Sequence, residues 1–100
     1  MINKKRLLHF DWDKGNEKKN WLGHQVTKGE AEAVFFDHNK LDFPDPTHST
    51  LQEKRHIIIG QTKSGRLLFV VYTTRDEIIR VISARDVKKP KEVKLYEKIT

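Results

Sequence analysis

Apolar positions along the chain fall into two regimes: sparse and helically spaced in the first half, alternating or continuous, as in strands, in the second. Leu8, Phe10 and Trp12 share one face of a short opening strand, with His9 and Asp11 on the other. Asp13 is suited to cap a polar helix running from Lys14 to about Gly23. Thr27-Lys28-Gly29-Glu30 has the spacing of a capping box, so a second helix starts there. Ala31, Val34 and Phe35 form its buried stripe, and the pattern dissolves at Asp37-His38-Asn39.

Leu41-Asp42-Phe43 predicts an edge strand cut off by Pro44 and Pro46, followed by an exposed loop to about Gln52. Residues 54–62, 66–74 and 77–84 then read as three strands. Lys63-Ser64-Gly65 and Arg75-Asp76 are short enough for hairpins between them, which makes an antiparallel meander. Beyond Asp86 the chain is lysine-rich around Pro90, and residues 92–98 predict a helical turn or two carrying Val93, Leu95 and Tyr96 in a loosely held tail. The expected order is β-α-α-β-β-β-β with a weak terminal helix, an α+β class. No repeat, linker or compositional break divides residues 1–100, so one domain is expected.

Composition narrows the chemistry. The absence of cysteine removes disulfides, thiolate nucleophiles and cysteine-ligated metals. The longest wholly apolar run, residues 67–72, is far short of the roughly 20 residues of a membrane-spanning helix, and MINKKRLLHF lacks a signal-peptide core, so a soluble, cytoplasmic protein is expected. Lysine and arginine number 20 against 14 acidic residues, for a net charge of +6. That field attracts RNA, DNA, acidic proteins or anionic lipid.

Strict alternation in the last strand sets Ile79, Val81 and Ser83 on one face and Ile78, Arg80, Ile82 and Ala84 on the other. Arg80 thus interrupts an apolar face. Its permanent charge must meet a carboxylate such as Glu32 or Asp11, backbone carbonyls, water, or a bound anion on an open sheet face. By the same counting Arg85 falls opposite Arg80, unless the strand ends or bulges before it. Arg55 opens the first central strand on the side of Ile57 and Ile59, while Arg66 and Arg75 lie beside turns, where solvent suffices. His24, just past the first helix, could exchange a proton with a ribose or leaving oxygen, or simply hydrogen-bond the structure. His9, His38, His48 and His56 have neither the spacing nor a nearby acidic partner to predict a metal site. No glycine-rich phosphate loop, Ser-His-Asp set or GxSxG elbow is present.

Phe10-Asp11-Trp12-Asp13, Gly15-Asn16, Lys19-Asn20-Trp21, His24-x-Val26, Glu30-Ala31 and Val34-Phe35 together resemble the BrnT toxin family. So do Phe43-x-Asp45 with His48-Ser49, Glu53-Lys54-Arg55, Gly60, Gly65-Arg66, the IRVISARD of residues 79–86 and Tyr96-Glu97. The chain departs from many members in placing Gly23 and Gln25 on either side of His24. The resemblance implies a RelE-like α+β fold, an antiparallel sheet with helices on one face. It also implies a metal-independent ribonuclease toxin of a type II toxin–antitoxin system, without cofactor, that inhibits translation by cleaving RNA. A BrnA-type antitoxin would neutralise it and reach DNA on its behalf, and no membrane partner is implied. On this reading Arg80 and Arg85 hold phosphate at the catalytic site with His24 as acid or base. Arg55, Arg66 and Lys19 are further RNA contacts. The competing expectation is a basic module that binds nucleic acid or the antitoxin without catalysis.

Overall fold

A computed structural model describes residues 8–97. In chain order these form β1 (His9–Asp11), α1 (Lys14–His24), α2 (Lys28–Ala33) continued by a 3-10 turn (Val34–Phe36), β2 (Leu41–Pro44), β3 (Arg55–Gln61), β4 (Leu67–Arg75), β5 (Ile78–Asp86) and α3 (Pro90–Glu97). The expected α+β order holds. The sheet runs β1-β5-β4-β3-β2. β2 to β5 pair antiparallel, but β1 pairs parallel with β5, so the sheet is mixed and not wholly antiparallel.

Local chemistry explains most boundaries. Asp13, extended at φ −91°, accepts the Asn16 amide and starts α1, and the Thr27–Glu30 capping box is made in both directions at α2. The β4–β5 hairpin turns on Asp76 and Glu77, both left-handed at φ 51° and 68°, as a two-residue turn of the primed type requires. Gly60 lets the sheet approach the helical layer. A Cβ there would lie 2.9 Å from the Val34 Cβ.

Because β1 is only three residues long, β5 has a free edge beyond it, and α1 runs along that edge. Asn16 donates to the Val81 carbonyl (3.1 Å) and Asn20 accepts from the Ala84 amide (3.1 Å). The two asparagines, one helical turn apart, replace the missing strand's hydrogen bonds. Asn20 is buried accordingly, at 2 % exposure.

The main core lies on one side of the sheet. Val26, Ala31, Val34 and Phe35 pack on Ile58, Leu68, Val70, Tyr72, Ile79, Val81 and Ala84, with Phe10 and Trp12 at its margin. Helices are not confined to that side. α3 packs against β3, and its Glu92 grips Arg85, whose guanidinium lies 4.1 Å over the Phe69 ring. The tail is therefore fastened, contrary to the expectation of a loose one: Tyr96 is buried and donates to Asp37 at 2.6 Å. No helix among the described residues is long and apolar enough to cross a membrane.

Strict alternation fails at one place. Val71 pairs with Ser83 and Tyr72 with Val81, leaving Ile82 unpaired as a β-bulge. That extra residue resets the faces of β5. Arg85 opposite Phe69, Ser83 opposite Val71 and Arg80 opposite Thr73 all share the side facing away from the main core.

Candidate nucleic-acid interface

The second face of the sheet carries the arginines. Cross-strand pairing aligns Arg55 with Thr73, Thr73 with Arg80 and Arg80 with Asp11, so a polar row crosses β3, β4, β5 and β1. Strand spacing puts the Arg55 and Arg80 backbones roughly 10 Å apart. The row extends past β2. The Asp45 amide donates to the Arg55 carbonyl (2.8 Å), while the Ser49 hydroxyl accepts from the Arg55 amide (2.8 Å) and donates to the Asp45 carbonyl (2.7 Å). Asp45 therefore continues the β2 register opposite Arg55.

Carboxylates hold this row in place. Arg80 reaches Asp13 at 2.8 Å, using one oxygen of the carboxylate whose other oxygen caps α1. The partners expected for Arg80 are otherwise disposed: Glu32 accepts from the Trp12 indole (2.8 Å), and Asp11 sits beside Arg80 on β1. Glu53 is shared, 2.8 Å from Arg55 and 3.6 Å from Arg75. The Arg55 hydrogen bond, reinforced by the charges of Arg75 and Arg80, lowers its pKa below the usual carboxylate value. Arg75 remains an exposed turn charge at the margin of this pair. One carboxylate, Glu53, lies in the field of three guanidiniums.

Further along the same face, Arg85 is engaged by Glu92 at 2.8 and 3.2 Å, and that bond lowers the pKa of Glu92. Thr73 and Phe69, the β4 partners of Arg80 and Arg85, are four positions apart, which is roughly 13 Å. Between them the surface is formed by Ile57, Val71 and Ser83, each half-buried.

Arg66 lies elsewhere and has a different occupation. Its Nε and Nη2 take both oxygens of Asp86 (2.6 and 3.0 Å), Nη1 takes Gln25 O (2.9 Å) and Glu30 (3.1 Å), and Nη2 also takes His24 O (3.1 Å). All five donors of the guanidinium are spent inside the chain. Arg66 therefore ties α1, α2 and β5 together and has no donor left for a phosphate in this conformation.

His24 ends α1 at this Asp86 end, whereas Arg80 is held at the Asp13 end. The helix between them is roughly 16 Å long. The structure does not bring His24 to Arg80. Lys19 is exposed midway along α1 and, among the described residues, has no ion-pair partner.

A different histidine has the acidic partner that the sequence did not disclose. His48 Nδ1 lies 2.8 Å from Asp45 Oδ2, with His48 65 % and Asp45 10 % exposed in the side chain. The three-residue spacing within a proline-flanked loop was the available signal. No group of three or more His, Cys, Asp or Glu side chains gathers among the described residues as a metal site needs.

A recess lies on the main-core side, with a volume of about 400 Å³ between Phe35, Ile58, Tyr72 and Ile79. Its Tyr72 hydroxyl is already bonded to Asp42 at 2.7 Å, and burial first, then that bond, pushes the phenol pKa up. The cationic chemistry lies on the opposite face.

A sheet face with several arginines fits recognition of a phosphodiester backbone. No curated protein matches the chain. A family model described as the ribonuclease toxin BrnT of type II toxin–antitoxin systems matches residues 12–91. Spanning α1, α2, the bulge at Ile82 and Arg55, Arg80 and Arg85, that match shows that the chain belongs to the BrnT family of ribonuclease toxins.

Proposed function

We propose that this toxin is a cytoplasmic endoribonuclease that cleaves RNA without a metal ion, thereby inhibits translation, and is neutralised by a BrnA-type antitoxin. The carrying observation is the Arg55–Thr73–Arg80 row across three paired strands. Strands fix the two guanidinium stems within about 0.5 Å, a tolerance that a loop rarely keeps. Arg80 and Arg55 hold the phosphate whose charge grows in the transition state, where oriented cations act most strongly. Arg85 joins the RNA path when RNA displaces Glu92, and Lys19 contacts the flanking backbone. Arg66 supports the fold, and His24 stays at the far end of α1.

What supports metal independence is the donor set: the cations needed near the phosphate are guanidiniums, and no ligand cluster accompanies them among the described residues. Antitoxin binding follows from the same charge, since an acidic partner laid over the row would mask it. The BrnA-type partner would carry the DNA contact, leaving this chain in touch with DNA only indirectly.

A second reading has one observation in its favour. Arg55, Arg80 and Arg85 are each already paired, with Glu53, Asp13 and Glu92. A module that binds RNA or antitoxin without cutting would show such self-neutralisation. Incubating end-labelled RNA with the purified protein in EDTA, beside a cell-free translation reaction, separates the two. Metal-free cleavage with loss of translation is expected; RNA retention without cleavage in either reaction contradicts the proposal.

A further inference from the structure

The acid–base group of a ribonuclease must stand near its phosphate cations with one ring nitrogen oriented and the other exposed. His48 has one nitrogen oriented and the ring exposed, and Asp45, which orients it, is backbone-paired with Arg55. A buried carboxylate takes its Nδ1 at 2.8 Å, so in the neutral ring Nδ1 carries the proton and Nε2 presents a lone pair to solvent. The loop holding it is stitched rather than free. Ser49 joins Asp45 to Arg55 through its hydroxyl, and Glu53 and Thr50 close the next turn by a pair of hydrogen bonds of 2.8 and 2.9 Å. Asp45 stands directly opposite Arg55, one strand spacing along the polar row, which is about 5 Å. Beside them a cavity of about 410 Å³ opens between Pro44, Pro46, Ser49, Lys54, Arg55 and His56.

We propose that His48 is the general base of the RNA cleavage, with Asp45 as its positioning residue; this rests on the ribonuclease reading. Nε2 takes the proton of the ribose 2′-hydroxyl as the 2′-oxygen bonds to phosphorus. The bond from phosphorus to the 5′-oxygen breaks, leaving a 2′,3′-cyclic phosphate, and the departing 5′-oxygen takes a proton from water. The imidazolium then returns its proton to solvent. Asp45 stabilises that imidazolium and fixes the tautomer, while Arg55 carries the phosphate charge. The charged group in contact with the ring is Asp45 on its own loop, and the titratable and charged groups of the adjoining β3 end are Glu53, Lys54, Arg55 and His56.

The test uses the full-length chain and a defined RNA, with wild type, His48→Ala and Asp45→Asn compared from pH 5 to 9, with and without added imidazole. Thermal melting checks each fold. His48→Ala is expected to melt like wild type, to cut about 100-fold or more slowly, and to regain activity with imidazole. Asp45→Asn is expected to lower kcat while leaving KM nearly unchanged, because the ring loses the partner that orients it. A folded His48→Ala protein that cuts at the wild-type rate, or whose defect imidazole leaves untouched, overturns the assignment alone. A wild type that cuts neither free RNA nor message on translating ribosomes overturns the ribonuclease reading and the assignment with it.

Discussion

Arg80 and Arg85 share one face of the sheet because Ile82, between them, has no partner on β4. Strict alternation would send one of them into the main core among Val81 and Ala84, both essentially unexposed. Deleting Ile82 is therefore expected to leave the chain without a cooperative thermal transition, since an unpaired guanidinium would have to be buried. Circular dichroism reads this directly. A deletion variant melting near the wild-type temperature would show that the bulge is dispensable.

Two arginines that look alike in sequence should behave in opposite ways. Arg66 bonds Asp86, Glu30 and two carbonyls, so Arg66→Ala is expected to cost about 2–3 kcal/mol, the scale of losing hydrogen bonds to charged groups. Arg80 makes one part-exposed pair with Asp13, and Arg80→Ala should stay within about 1 kcal/mol of wild type. Urea titration of both variants settles the contrast. Equal losses would mean that the Arg66 clasp is not what joins the helices to β5.

The legible part of the fold was local. The Thr27–Glu30 box and the meander of β3 to β5 announce themselves within a few residues, and each formed where expected. The parallel pairing of β1 did not, because its partner β5 lies at the far end of the chain. Asn16 and Asn20 weaken a helix by propensity, yet they serve as caps for the β5 edge, a role visible only after the two elements meet. Nor does Ile82 carry any mark of a bulge. Its position follows from Val81 and Ala84 lying in the core while Arg85 stacks on Phe69 across the other face. Among the site residues, composition drew attention to the arginines, whereas their partners Asp13, Glu53 and Glu92 emerged only from packing.

Acid should loosen the molecule through these pairs. The Arg66 hydrogen bond lowers the Asp86 pKa, the Thr27 amide and then Arg66 lower that of Glu30, and Arg85 lowers that of Glu92. A depressed folded pKa contributes stability that is complete above the unfolded value, about 4, and is lost as pH falls through the folded value. These groups therefore add no slope between pH 7 and 5, and stability should drop below about pH 4. In urea melts at pH 5 and pH 3, Arg66→Ala should show a smaller drop than wild type. An identical drop would remove Asp86 and Glu30 as its source.

The hairpin between β4 and β5 carries correctable strain. Glu77 at φ 68° occupies a conformation that glycine adopts freely, so Glu77→Gly is expected to stabilise by about 1 kcal/mol. For a chain of this size that is a rise in melting temperature of about 4–8 °C. A lower melting temperature would show that the side chain makes a compensating contact in the turn.

The role of the arginine row on the second sheet face in RNA cleavage is decided by incubating one defined RNA in EDTA with wild type and with Arg80→Ala, each with its melting curve. Wild type should cut, and Arg80→Ala should melt normally while cutting about 100-fold or more slowly, the scale of removing one transition-state charge partner. A folded Arg80→Ala protein that cuts as fast as wild type would mean that the row does not carry the cleavage.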